Sequence, residues 1–169
     1  MKSVLIFITI LAITVLTGLP AQAATDSFTV NPFAMLNDFY IFDYEHTIKG
    51  DGSINLGSAT YNSSSDGTIG YSFSTGFRQY FESDAQEGKY LGLSATYYDI
   101  DKGHEVWWVN GDKGDAVAIT VDYGYRYIAD SGITIELGLS GGCYKQDDQT
   151  DVILTARVQA GLGWDAYSY

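Results

Sequence analysis

From Thr25 onward the chain alternates, segment after segment, between apolar residues and small or polar ones. The longest run places Val117, Ile119, Val121, Tyr123, Tyr125 and Tyr127 on one side and Ala118, Thr120, Asp122, Gly124 and Arg126 on the other. A period of two belongs to an extended strand, whose successive side chains point to opposite faces. No stretch of the same region sustains the 3.6-residue period of an amphipathic helix. The pattern restricts the chain to an all-β fold whose sheet has two chemically distinct faces.

Other segments follow the same rule. Ile133, Ile135, Leu137 and Leu139 oppose Thr134, Glu136, Gly138 and Ser140, while Val152, Leu154, Ala156, Val158, Ala160, Leu162 and Trp164 alternate with Ile153, Thr155, Arg157, Gln159, Gly161 and Gly163. Tyr71, Phe73 and Phe77 oppose Ser72, Ser74, Gly76 and Arg78, and Leu91, Leu93, Ala95 and Tyr97 oppose Gly92, Ser94 and Thr96. Tyr40, Phe42 and Tyr44 alternate with Ile41, Asp43 and Glu45, and Ile54 and Leu56 open a strand over 53–62. Turn-forming clusters separate the runs at Lys49–Gly52, Ser63–Gly67, Glu82–Gly88, Asp130–Gly132 and Asp147–Asp151. A first strand over Phe28–Met35, interrupted by Pro32, brings the expected count to eight.

Composition narrows the class. Of 169 residues, 15% are aromatic and 18% charged, which excludes a disordered chain, and a single cysteine, Cys143, excludes a disulfide scaffold. The 9 basic and 21 acidic residues give a formal charge of −12, leaving no basic surface for nucleic acid. Two separated histidines, His46 and His104, provide neither a metal-ligand set nor a base placed beside a serine. No metal, cofactor or catalytic residue is expected.

The N-terminal segment reads separately. Met1-Lys2, the apolar run Val4–Leu16 and Ala21-Gln22-Ala23 are the charged, apolar and small-residue parts of a secretory signal peptide cut after Ala23. The run meets Gly18 and Pro20 before it reaches the ~20 apolar residues of a spanning helix. Residues 1–23 are therefore expected to be removed and 24–169 to form one barrel domain.

Eight antiparallel strands close either as a soluble lipocalin-like barrel, apolar within, or as a membrane barrel of the opposite sense. Arg78, Arg126 and Arg157 all stand mid-strand on the small, polar face, whereas Lys49, Lys89, Lys102, Lys113 and Lys145 stand in or beside turns. An arginine facing lipid at the midplane costs ~2–4 kcal/mol, so the face that carries all three points inward. The expected fold is an eight-stranded antiparallel up-and-down transmembrane β-barrel. Its narrow interior is expected to hold a structural charge network of Glu45, Arg78, Asp122, Arg126, Glu136 and Arg157.

With the N-terminus on the periplasmic side, Phe28, Tyr44, Phe77, Phe81, Tyr90, Tyr125, Tyr127 and Trp164 are expected near one rim. Phe39, Tyr61, Tyr97, Trp107, Trp108 and Tyr144 are expected near the other, the two sets forming aromatic girdles. The longest outer turn, Asp101–Asp115, carries Trp107 and Trp108 either as a contact patch or as an extension of its two strands. The acidic turn Asp147–Asp151 lacks the ligand spacing of a calcium loop and reads as solvated.

Four segments carry a resemblance to a known family. They are Val30-Asn31-Pro32-Phe33 in the first strand, Tyr44-Glu45 ending the second, Gly76-Phe77-Arg78-Gln79-Tyr80-Phe81 ending the fourth, and Gly161-Leu162-Gly163-Trp164 closing the last. Over essentially the whole mature chain the sequence resembles the small bacterial outer-membrane barrels of the OmpA-like and OmpX-like type, and within them a subgroup known as a domain of unknown function. Tyr167 and Tyr169 depart from the family's pattern, being out of phase with Leu162 and Trp164.

The resemblance implies a monomer in the outer membrane of a Gram-negative-type bacterium. It would contact outer-membrane lipid and lipopolysaccharide and be inserted by the barrel-assembly machinery. The implied role is structural or surface-interacting, without an open pore. A lipid A-modifying enzyme is the alternative within the same architecture, although neither histidine stands in the His-x-Ser pattern of the lipid A deacylase barrels. A soluble lipocalin-like periplasmic ligand-binding barrel is the alternative outside it.

Overall fold

The computed structural model describes residues 25–36, 38–62, 69–81, 86–100 and 114–164. Expectations that fall on the segment 1–23, on the loop 101–113 with His104, Trp107 and Trp108, on the turn segments 63–68 and 82–85, and on Tyr167 and Tyr169 lie outside the described residues.

Each alternating run occupies one strand of a closed antiparallel barrel. In chain order these are β1 (Asp26–Val30), β2 (Phe39–Lys49), β3 (Gly52–Asn62), β4 (Ile69–Tyr80), β5 (Gly88–Ile100), β6 (Gly114–Ile128), β7 (Ile133–Gln146) and β8 (Gln149–Trp164). Neighbours in sequence are neighbours in the sheet, and β8 pairs back onto β1. Among the described residues the only helix is a single turn, α1 (Pro32–Met35).

Register follows from the hydrophobic pattern, since a slip of one residue would exchange the two faces. The partners of Phe28 run through Tyr44, Leu56, Thr75, Ala95, Ile119 and Cys143 to Val152, yet on its other side Phe28 faces Leu162, ten residues further along β8. With ~3.3 Å per residue and ~4.8 Å between strands, that stagger tilts the strands by ~40° and gives a backbone radius of ~8 Å. A tube this narrow is filled by its own side chains.

The two faces separate most plainly on β6. Val117, Ile119, Val121, Tyr123, Tyr125 and Tyr127 are exposed, and Ala116, Ala118, Thr120, Asp122 and Arg126 are buried. From Val117 to Tyr127 the exposed side chains cover ~33 Å of strand, a band ~25 Å high at the tilt above. Leu56, Phe73, Leu93, Leu139, Val152 and Leu154 continue the band around the wall. At outward positions Asp26, Lys89, Asp99, Asp115 and Lys145 stand at strand ends.

The first strand is shorter than expected. Pro32 has no N–H for a ladder, and its fixed φ suits the first position of a helix. Asn31, extended at φ −97 and ψ 101, caps that helix by accepting from the Ala34 N–H at 2.9 Å. So β1 ends at Val30, and α1 packs between β2 and β8 where the strand would have continued, with Phe33 and Leu36 exposed.

Four expected girdle residues, Tyr90, Phe39, Tyr61 and Tyr144, also take inward positions. Tyr90 shares its face with Gly92 rather than Leu91, Phe39 stacks on Tyr61 at 4.2 Å between centroids, and Tyr144 joins Ala116, Ala118 and Ile153 in an apolar cluster inside the barrel. The rim where β1 begins is ringed by exposed Phe28, Tyr44, Phe77, Phe81, Tyr125, Tyr127 and Trp164. At the far rim Tyr97 alone of the expected set is exposed among the described residues, with Tyr71 and Phe73 beside it.

Candidate functional site

The interior toward the β1 rim is built from charged side chains that strand alternation alone sends inward. Arg126 near the end of β6 and Glu136 near the start of β7 are direct register partners. Arg78 comes from the end of β4, Glu45 from β2, Arg157 from β8 and Asp122 from β6. The structure brings all six of these expected residues together, and Asp43 of β2 joins them.

Glu136 is the centre. Arg126 donates to its Oε2 through Nε at 3.0 Å and also through Nη2, Arg78 Nη1 donates to the same oxygen at 3.1 Å, and Arg157 Nη1 reaches Oε1 at 3.4 Å. Glu45 is the second hub, with Arg78 Nη1 at 2.5 Å and Arg126 Nη2 at 2.8 Å from its Oε2. Arg78, Arg126 and Glu136 are at most 1% exposed, so each charge depends on its partners rather than on water. Arg157 is looser, 3.9 Å from Asp122 and 22% exposed.

Hydroxyl and amide groups complete the shell. Tyr80 donates to Glu45 at 2.8 Å, Tyr90 donates to Glu136 at 2.7 Å, and Ser53 donates to Glu45. Ser94 and Thr120 donate to Asp122. Arg126 Nη1 donates to Ser27 at 2.9 Å and to Gln86 at 3.2 Å, and Gln86 in turn donates to the Thr25 carbonyl at 2.9 Å. The Arg78 guanidinium also lies 4.7 Å above the Tyr90 ring.

Small residues opposite make room for these groups. A Cβ on Gly124 would lie 2.5 Å from the Tyr90 hydroxyl, and one on Gly138 would lie 2.8 Å from it. A Cβ on Gly92 would come within 3.1 Å of Arg78 Cγ. The glycines of the inward face are thus the space in which the long polar side chains lie.

The sequence pattern left out several members. Asp43 stands two residues before Glu45 on the same face, a parity that was available to find it. Tyr80 and Tyr90 also have inward parity, but a tyrosine near a strand end reads first as an interface residue. Gln86 lies outside any alternating run and carried no such signal.

The arrangement holds charge rather than exposing it. Each glutamate is engaged by guanidinium and hydroxyl groups at once, an arrangement that keeps a carboxylate ionised and fixed in place. His46 is elsewhere, on the outer surface at the β1 rim, with Nδ1 2.9 Å from Asp26 Oδ1. Tyr44 and Thr25 donate to the same aspartate. Among the described residues no group of three or more histidine, cysteine, aspartate or glutamate side chains is placed to hold a metal ion.

No family model, no curated protein and no solved structure matches the chain.

Proposed function

We propose that the chain is an integral outer-membrane β-barrel of the small OmpA-like and OmpX-like type, delivered by a cleaved signal peptide over residues 1–23. Its role is structural or surface-interacting. The observation that carries this reading is the polarity of the wall, with apolar side chains outward and arginines and carboxylates inward. A soluble barrel needs the reverse arrangement. The exposed band of ~25 Å equals the apolar belt of outer-membrane barrels, and the charged outward residues stand at the strand ends.

The interior supports a closed lumen. Arg126, Gln86 and Ser27 join β6, the segment before β5 and β1 across the tube, and Arg78 ties β4 to β2 and β7. The barrel then acts as an anchor, and contact with partners falls to its loops, among them the one with Trp107 and Trp108. Lipid and lipopolysaccharide surround a monomer placed there by the assembly machinery.

Membrane sedimentation of cell extracts, with gel mobility compared between heated and unheated samples, tests the proposal. Recovery in the outer-membrane fraction and a heat-dependent mobility shift are expected. A soluble protein with no shift would refute it. The lipid A profile should be the same in cells with and without the protein, and an altered acyl pattern would move the chain into the enzyme class.

A further inference from the structure

The barrel closes unevenly. β1 meets β8 only from Asp26 opposite Trp164 to Val30 opposite Ala160, whereas β8 extends on from Gln159 to Gln149 with no strand on that side. Successive residues of a strand direct their N–H and C=O groups to opposite edges. On β8 the Gly163 N–H donates to the Gly132 carbonyl at 2.7 Å, and the Trp164 carbonyl accepts from the Thr25 N–H at 3.0 Å. Odd-numbered residues of β8 thus serve β7, and even-numbered ones serve β1. Val152, Leu154 and Ala156 aim both backbone groups past the end of β1, and among the described residues no hydrogen bond reaches them there.

The residues that follow β1 do not supply the missing partners. In α1 the Met35 N–H donates to the Asn31 carbonyl and the Leu36 N–H to the Phe33 carbonyl, both at 3.3 Å, while Ala34 donates to the Asn31 side chain and Pro32 has no N–H. A longer β1 would not reach either. In the β1–β2 register residue 33 falls opposite Phe39, where β2 begins, and in the β1–β8 register it falls opposite Arg157. The edge at Ala156, Leu154 and Val152 lies beyond the hairpin in any case.

This edge stands in the apolar wall. Through Gly141 and Cys143, Leu154 and Val152 line up with Val121 and Ile119 of the exposed band. Leu154 and Val152 are 76% and 79% exposed, against 52% and 59% for Val121 and Ile119, as expected of side chains with no neighbour on one flank. Unpaired strand edges invite another strand, and hydrocarbon offers their N–H and C=O groups nothing to bond.

We propose that the β8 edge at Val152, Leu154 and Ala156 docks an extended, apolar peptide segment of a second polypeptide, which continues the β1–β8 pairing where β1 stops and runs antiparallel to β8. Its chemistry follows from the edge. Donor and acceptor recur at every second residue, ~6.8 Å apart, a spacing that the backbone of a strand matches and an acyl chain does not. A second copy of this chain fits poorly, because two barrels standing the same way up present β8 edges that run in the same direction. The inference deepens the surface-interacting role proposed above by giving it a partner class, while the edge itself follows from strand lengths alone.

Amide-resolved NMR of the isotope-labelled protein in detergent micelles provides the test, with a peptide of alternating valine and threonine, flanked by lysines, as the probe. The amide protons of Val152, Leu154 and Ala156 should move downfield as peptide is added and show Overhauser contacts to its backbone protons. Those of Ile153 and Thr155, which face β7, should stay in place. The same peptide N-methylated at every residue keeps the side chains, cannot pair, and should do neither. Leu154→Pro removes a donor from the free edge and none from the β7–β8 ladder, so it should fold and bind the peptide ~10-fold more weakly. The methylated peptide decides the matter should Leu154→Pro fail to fold. Equal effects of the two peptides would reduce the contact to apolar adsorption and overturn the docking edge. So would amide shifts that grow with protein concentration and need no peptide, which would put a second copy there. No response to either peptide would also overturn it, and membrane sedimentation would still report separately on the barrel's location.

Discussion

Arg126 and Glu136 face each other as register partners across the β6–β7 pair, joined through both Nε and Nη2 of the guanidinium. The sheet itself enforces the pair, and Arg78 and Arg157 converge on the same carboxylate. Glu136→Ala would leave buried guanidiniums short of their shared counter-charge. Removal of one partner of a buried pair costs ~3–5 kcal/mol. Denaturant unfolding in detergent micelles should show a loss in that range for Glu136→Ala, and a loss under 1 kcal/mol would show that the pairing does not hold the barrel together.

Tyr90→Phe removes the hydroxyl that donates to Glu136 and keeps the ring that underlies Arg78. A hydrogen bond to a charged group is worth ~1.5–3 kcal/mol, and the same unfolding measurement should report a loss near the low end. Combined with Glu136→Gln the two losses should be less than additive, because both act on one bond. Full additivity would contradict the contact.

Much of this architecture is legible in the alternation of the sequence. On β6 every second residue is apolar without a break, and the strand and its two faces follow from that alone. Around Pro32 the alternation is too short to outweigh one missing N–H, so a strand was expected where β1 stops and α1 begins. The interior set was read from its arginines, because a mid-strand arginine has few places to go. Asp43 shares their parity, and only the closed barrel brings it within 3.6 Å of Arg78 and 3.7 Å of Arg157. Tyr90 was misplaced because its ring suits a membrane interface as well as a crowded lumen, and Gly124 and Gly138 opposite it show their purpose only in three dimensions.

The turn that replaces the end of β1 depends on its cap. Asn31→Ala should cost ~1 kcal/mol, the usual loss when a side-chain acceptor at a helix N-terminus is removed. Hydrogen exchange should quicken at the Ala34 amide, which Asn31 accepts. Unchanged exchange there would show that the cap is idle.

Val121 faces outward near the middle of the exposed band. Val121→Arg would be nearly neutral on a water-facing wall, and would cost ~2–4 kcal/mol of folding free energy in lipid vesicles. Folding yield and unfolding midpoint in vesicles distinguish the two, and a neutral result would contradict a lipid-facing wall.

Cys143 is the only cysteine of the chain and is exposed on the outer face. In a Cys143→Ser background, a nitroxide attached at Val121→Cys reports directly on what that face meets when the protein is reconstituted in lipid vesicles. Relaxation by dissolved oxygen should far exceed relaxation by a water-soluble nickel chelate, as it does for a group in hydrocarbon. A probe reached more readily by the nickel chelate would contradict a barrel whose apolar wall lies in the membrane.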